Sequence, residues 1–258
     1  MSLFERSREP ASNATFATPS GRELAVGFAA LTVLALIAWL HTASNAQGMW
    51  AMPGTMGMPF FAFLSMWTVM MIAMMLPATT PVVVLWGRMI AFQSAGARRY
   101  ARSAVFLFAY LVAWAVLGAA TWLALRALES VVPRAAFANG AFAATALAVA
   151  GIYQLTPAKN RCLEHCRSPV SLLAHFRRND GPFVDFRIGF LHGGYCIGCC
   201  AGLMVVLVGV GLMNVPVMAA LTILIYAEKL APYSAITARV TGVLFICAAP
   251  AVWLWPRA

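Results

Sequence analysis

Residues 187–210, RIGFLHGGYCIGCCAGLMVVLVGV, decide the fold class of this chain. Arg187 is the only charged residue of the stretch, and it stands at the beginning. A helix needs about 20 consecutive apolar residues to cross a bilayer core of about 30 Å. The stretch is long enough, so we predict that it forms a transmembrane helix. Its row of glycines predicts that another helix packs closely against it.

The composition of the whole chain indicates several such helices. Of the 258 residues, 62% are hydrophobic and 10% are charged, whereas soluble domains are about 45–50% apolar and about 25% charged. We therefore predict an all-α, polytopic transmembrane helix bundle of about seven helices. The count falls to six if the sixth run is re-entrant or interrupted, because it follows the fifth almost at once. The runs are 24–40, 60–80, 103–125, 136–156, 187–210, 214–230 and 238–254.

Basic residues indicate how the bundle is oriented. Only three of the 18 Lys and Arg residues fall in segments on one side of the predicted membrane, namely Arg126, Arg134 and Arg257. Because Lys and Arg concentrate in cytoplasmic loops, we predict that the other side is cytoplasmic and holds the N-terminus. The same distribution accounts for the net charge of +10 without a nucleic-acid partner. We expect a multi-pass protein of the bacterial inner membrane whose main partner is the lipid bilayer.

The N-terminal segment differs from the rest of the chain. Residues 1–22 mix charged residues with Pro, Ser and Thr and lack the apolar core of a signal peptide. We predict a disordered cytoplasmic tail at 1–22 and a single transmembrane helical domain at 23–258.

Five of the six cysteines fall into two tight groups. One is Cys162-Leu-Glu-His-Cys166 in the predicted loop 157–187, and the other is Cys196-Ile-Gly-Cys199-Cys200, expected in the first turns of the fifth helix. Residues three and four apart share a helix face. Thiolates bind Cu(I) and Zn(II), and the groups are close enough in sequence to meet in one site. Imidazoles that can complete such a site belong to His165 and His192.

Two other readings of the cysteines stay open. A Cys-x-x-Cys pair near a helix N-terminus is also typical of redox thiols. Free cysteine is also a common small packing residue in apolar helices. We interpret the isolated Cys247 as such a residue.

Methionines form two further patterns. The loop predicted to face outward holds Met49, Met52, Met56 and Met58, and soft thioether ligands select Cu(I) over Zn(II). A candidate relay for the metal ion follows. It consists of four methionines of the second helix and a carboxylate at the cytoplasmic end of the sixth: Met66, Met70, Met74, Met75 and Glu228. The alternatives are flexible packing for the methionines and interface anchoring for the charged end of the sixth helix.

Several of these motifs together resemble the DUF2182 family of predicted metal-binding integral membrane proteins. The resemblance covers roughly residues 60–235, and it implies metal binding without implying a mechanism. It is carried by Met66-Trp67, Ala73-Met74-Met75-Leu76-Pro77, Cys162-Leu163, Cys166-Arg167, Tyr195-Cys196-x-Gly198-Cys199-Cys200, Leu203-Met204, Met213-Asn214 and Glu228-Lys229.

The leading functional hypothesis is a membrane protein that handles Cu(I) as a transporter or a metal donor, with zinc as the alternative metal. A copper chaperone or a metalloenzyme subunit is the expected partner. The first alternative is a membrane thiol oxidoreductase that uses the Cys-x-x-Cys-Cys group. The second is a membrane assembly factor held together by a structural Zn(II). The chain shows no hydrolase constellation and no phosphate-binding loop, which weighs against an enzyme.

Overall fold

The structure is a computed structural model that describes residues 21–47, 54–91, 94, 96–132, 140–167, 183–231 and 233–254. Most of the predicted tail, 1–20, lies outside these residues, and so do Met49 and Met52 of the predicted outer loop. No strand occurs in the described ranges, which confirms the all-α class.

Eight helices account for most of the described residues. Seven of them coincide with the apolar runs of the sequence, and the eighth, α5, lies in the segment that was predicted to be a loop. In chain order they are α1 Gly21–Asn45, α2 Phe60–Ile90, α3 Gly96–Val131, α4 Gly140–Gln154, α5 Pro157–Arg167, α6 Val184–Val210, α7 Val215–Leu230 and α8 Ser234–Leu254.

Five of these helices are long and apolar enough to cross a membrane, and α4 with α5 makes a sixth span if the bent pair is counted as one. The two helices meet at an angle of 69°. The sixth predicted run, 214–230, corresponds to α7, which has 16 residues and is therefore only about 24 Å long at 1.5 Å per residue. The predicted count of about seven thus becomes five or six full spans and one shorter helix.

Helices α2 and α6 form the centre of the bundle. Of the most apolar window of each helix, 61% is buried in α2 and 56% in α6, compared with 17% in α1 and 22% in α8. Apolar side chains on α1 and α8 therefore face the lipid, which is the solvent a bilayer provides. Helix α2 buries several of the largest side chains, among them Trp67, Trp86 and Met70.

Glycine allows α3 and α6 to pack at short range. A Cβ atom placed on Gly193 of α6 would lie 2.6 Å from the Cβ of Ala113 on α3, which is closer than two carbons can approach. A larger residue would force the helices apart. The predicted close packing of the glycine row is therefore present, and it determines where α6 holds its cysteines.

Polar contacts define the two ends of the bundle. At one end, the backbone N–H of Thr55 donates to Glu129 of α3 at 2.6 Å and ties down the turn before α2. We call this the turn end. At the opposite end, Arg102 of α3 pairs with Asp185 of α6 at 2.9 Å, and Arg167 of α5 donates to Ser234 of α8.

Candidate metal centre

Three buried cysteines converge where α5 packs against α6. The sulfur atoms of Cys166, Cys196 and Cys199 all lie within 4.8 Å of one another. The side chains of Cys196 and Cys199 share a face of α6, as their spacing predicts, and α5 brings Cys166 to them. We call these residues the three-cysteine group. The two sequence groups therefore do meet, through one member of the first and two of the second.

The other two predicted thiols lie at the edge of this group. The Cys200 sulfur is 3.5 Å from the Cys199 sulfur. Cys162 is half-buried and lies against Gly198, where an added Cβ would approach its sulfur to 2.6 Å. All five thiols are free, and so is Cys247, which is exposed on α8.

The depth of the thiols differs from the prediction. Helix α6 begins at Val184, so Cys196 lies about 18 Å along its axis at 1.5 Å per residue. The expectation that these cysteines occupy the first turns is wrong, because the helix extends through Asp185 and Arg187 before its apolar part begins. The cysteines lie near the middle of α6 instead.

A lysine from α7 is bonded to the central thiol. Lys229 Nζ donates to Cys196 Sγ at 2.9 Å, and both residues are buried. Tyr110 Oη lies 3.1 Å from the same sulfur and also accepts from Thr79 Oγ1 at 3.0 Å. A cation in hydrogen-bond contact favours the thiolate form of a sulfur, which is the form that binds metal. Among the described contacts, Cys196 is the member of the group that accepts a hydrogen bond from a lysine.

A second buried charge network adjoins the first. Glu228 pairs with Lys159 through Oε2 at 2.6 Å and accepts from Gln154 Nε2 through Oε1 at 2.8 Å. Both carboxylate oxygens are thus directed to α4 and α5 rather than to the thiols. Among the described residues, no carboxylate forms a salt bridge with Lys229, and its hydrogen-bond acceptor is the Cys196 sulfur.

Sequence reasoning missed both lysines. Lys159 was counted only as a cytoplasmic charge, and Lys229 was read as an interface anchor beside the candidate Glu228. Their burial, 0% and 6% exposed, was the missing information. A Lys inside a transmembrane bundle needs a partner, so the position of Lys229 at the end of an apolar run was the available signal.

The two candidate histidines lie outside the three-cysteine group. His192 is buried one turn before Cys196, stacked on the rings of Phe106 and Tyr110. Neither of its ring nitrogens has a hydrogen-bond partner among the described residues. His165 is exposed, stacks on Tyr195 with ring centres 4.5 Å apart, and has Nδ1 2.8 Å from the Arg161 carbonyl.

The methionines of α2 lie between the turn end and the level of the thiols along the bundle. Met70, Met74 and Met75 are 0% exposed and belong to the same apolar core as the cysteines. Met66 is half-buried nearer the turn end. The nine residue steps from Met66 to Met75 span about 14 Å of helix. One turn after Met75, Thr79 contacts Tyr110 and thereby the Cys196 site.

The turn before α2 holds the described part of the outer methionine loop. Met56 and Met58 are half-buried and pack against the main core. The carbonyl of Met58 accepts from Trp122 Nε1 at 3.2 Å, and the Thr55 hydroxyl donates to Glu129 at 2.9 Å. Both contacts come from α3 and hold this turn over the end of the bundle.

Comparison with known proteins gives one match. A protein-family model described as PpoB2, a copper chaperone, matches residues 64–252. The matched segment includes all five clustered cysteines, the α2 methionines from Met66 onward and Lys229. No curated protein and no solved structure matches the chain. A copper-related family is thereby confirmed, whereas the resemblance to DUF2182 stays a prediction.

Proposed function

The chain belongs to the PpoB2 family of copper chaperones, and from this premise we propose that it holds Cu(I) as cargo at the three-cysteine group and delivers it to a protein partner. The family match and the apolar helices together fit a membrane protein that handles copper. The observation that carries the proposal is the convergence of three buried sulfurs within 4.8 Å, with the Lys229 ammonium on one of them.

Ligand number favours Cu(I) over Zn(II) at this group. Structural Zn(II) is almost always held by four ligands in a tetrahedron, and neither His165 nor His192 joins the three sulfurs. Cu(I) is a soft ion that thiolate ligands select. With two of the three cysteines as thiolates and the third as a neutral thiol, the group and one Cu(I) carry a net charge of −1, which the Lys229 ammonium offsets. A buried site is stable only when its charges are balanced in this way.

The methionines of α2 supply a route between the turn end and the thiols. Their thioethers are uncharged and bind Cu(I) more weakly than thiolates, so copper that enters at the turn end gains affinity as it approaches the cysteines. If the turn end faces outward, as the basic residues predict, the gradient leads inward. Met66, Met70, Met74 and Met75 form this relay in our proposal, whereas the Glu228 carboxylate is bonded to Lys159 and Gln154 and lies outside it.

Metal binding by the purified full-length protein tests the proposal. The wild-type chain in detergent, under anaerobic conditions, is titrated with Cu(I) against a chromogenic competitor. The variants Cys166→Ser, Cys196→Ser and Cys199→Ser are expected to bind at least about 10–100-fold more weakly. Cys247→Ser is the matched control, because its thiol is exposed on α8 and its removal leaves the three sulfurs in place. Unchanged affinity in all three variants would refute the proposal.

The same preparation separates the two other hypotheses. A thiol oxidoreductase would form a disulfide within Cys196, Cys199 and Cys200 when oxidised, and mass spectrometry of alkylated peptides would detect it without added metal. A zinc-clamped assembly factor would be purified with zinc that the Cys→Ser variants lose. Neither outcome is expected, since the charge and the ligand number of the group fit Cu(I).

A further inference from the structure

A cavity of about 230 Å³ opens at the turn end of the bundle, away from the thiols. Four of its lining residues carry soft or borderline metal ligands: His41, Met58, Met66 and Met213. They come from four separate segments, namely the last turn of α1, the residue two positions before α2, the second turn of α2, and the turn between α6 and α7. Only the fold brings them together.

The donor set of this cavity is selective. The remaining described residues of the lining are Thr42, Asn45, Ser65 and Val69, so the described part of the wall contains no carboxylate, no amine and no thiol. Hard cations such as Ca²⁺ and Mg²⁺ require oxygen ligands, above all carboxylates. Thioether and imidazole ligands instead suit Cu(I) and its redox-inert analogue Ag(I).

The ligand-bearing segments are held by the surrounding structure. Met213 is 1% exposed, and the next residue, Asn214, caps α7 by accepting from Val217 N at 3.1 Å. The Met58 carbonyl accepts from Trp122. Asn45 Nδ2 donates to the His41 carbonyl at 2.8 Å and lies within 3.4 Å of both imidazole nitrogens. Three of the four segments therefore have contacts that limit their movement.

We infer that His41, Met58, Met66 and Met213 form a second Cu(I) site, separate from the three-cysteine group, at which copper enters or leaves the α2 relay. The inference rests on the proposed function in taking Cu(I) as the cargo. The sequence pattern predicted a capture site made of loop methionines, Met49, Met52, Met56 and Met58. The cavity instead combines one of these with an α1 imidazole and with Met66, which is also the first member of the relay.

Equilibrium binding of Ag(I) and Cu(I) to four forms of the full-length protein tests this site. The forms are the wild type, a thiol variant (Cys166→Ser with Cys196→Ser and Cys199→Ser), a cavity variant (Met58→Leu with Met66→Leu and Met213→Leu), and the two combined. Leu and Met have similar volumes, so the exchange disturbs packing little. We expect about two ions on the wild type, about one on each partial variant and none on the combined form. Met89→Leu is the matched control, being half-buried at the other end of α2.

The outcomes distinguish the two proposals. If the thiol variant binds no ion while the cavity variant still binds one, the cavity site is refuted and the thiol site stands. If the thiol variant binds as many ions as the wild type and the cavity variant loses one, the thiol proposal fails and the cavity site stands.

A measurement on the wild type alone guards against variants that misfold. Bound Ag(I) is expected to slow the peroxide oxidation of Met58 and Met66 about tenfold relative to Met89, because coordination withdraws electron density from the thioether sulfur and shields it from the oxidant. Mass spectrometry of the peptides reads this out. Equal oxidation of Met58, Met66 and Met89 with and without Ag(I) would overturn the inference.

Discussion

At the scale of single residues, the proposed chemistry of the site depends on the contact between Lys229 and Cys196. An ammonium 2.9 Å from a sulfur is a charge-assisted interaction, and its strength rises where water is excluded. A lysine of this kind loses its hydration when it is buried, so it requires an anionic partner. In the proposed function, the Cys196 thiolate meets that need before copper binds, and the copper–thiolate complex meets it afterwards.

Removing this ammonium is expected to weaken copper binding. Lys229→Met keeps much of the side-chain length but leaves the anionic complex without a counter-charge, so the Cu(I) affinity should fall about 10–100-fold. Lys229→Arg retains the charge and should lose less. Competitor titration of both variants measures the difference. Equal affinities for Lys229→Met and the wild type would show that the lysine has no part in binding.

The buried pair of Lys159 and Glu228 contributes to stability in a different way. Lys159→Met leaves the Glu228 carboxylate buried with only Gln154 as a partner, which is expected to destabilise the protein by about 3–5 kcal/mol. Chemical denaturation in detergent provides the measurement. Adding Glu228→Gln removes the unpaired charge and should restore most of the loss. A double variant no more stable than the single one would contradict this account.

At the scale of helices, the packing of α6 on α3 determines the position of the thiols. Both Cys196 and Cys199 belong to α6, and Tyr110 of α3 contacts Cys196. Gly193 lies between these helices, with Ala113 directly opposite. The glycine row therefore does more than allow close approach, because the helix separation it permits is the separation at which Tyr110 reaches the sulfur.

A methyl group at this contact should disturb the site, whereas one on the next residue should not. Gly193→Ala places a carbon 2.6 Å from the Cβ of Ala113, and such overpacking costs about 1–3 kcal/mol. Nothing lies within 4 Å of a Cβ at Gly194, so Gly194→Ala should leave stability unchanged or raise it by about 0.5–1 kcal/mol. Thermal unfolding and Cu(I) affinity report both effects. Equal losses in the two variants would argue against the close contact.

At the scale of the whole molecule, soft ligands extend along the bundle from one end to its middle. The cavity with His41 lies at the turn end, the α2 methionines follow, and the three-cysteine group lies about halfway along α6. Helices α4 and α7 are shorter than a full span, and the charged residues Lys159, Glu228 and Lys229 lie at or just beyond their ends. The bundle therefore combines an apolar exterior with a polar interior near the thiols.

The orientation of this arrangement can be measured. The distribution of basic residues predicts that the turn end faces outward. In a Cys247→Ser background, a cysteine at the exposed Gln47 should react with a membrane-impermeant maleimide in intact cells. A cysteine at the exposed Ala97, at the start of α3, should react only after the membrane is permeabilised. The reverse pattern would invert the proposed direction of copper movement.

The sequence by itself determined the features that depend on local pattern. Run lengths and hydropathy predicted the helical class and most of the spans, since a bilayer imposes the same requirement on each helix independently. Helical periodicity placed Cys196 and Cys199 on one face. Where the pattern was weak, as at the 16-residue α7, the count of spans was less well determined.

Only the tertiary structure decided which of the candidates share a site. Lys229 reaches Cys196 across 33 positions of the chain, and Lys159 reaches Glu228 across 69. Cys166 joins the three-cysteine group, while Cys162 lies at its edge and His165 faces outward. The cavity similarly unites His41 with Met213. Such pairings depend on how helices pack against each other, and packing is determined by side-chain volumes and glycine contacts summed over whole helix faces. The spacing of residues along one segment does not determine these pairings between segments.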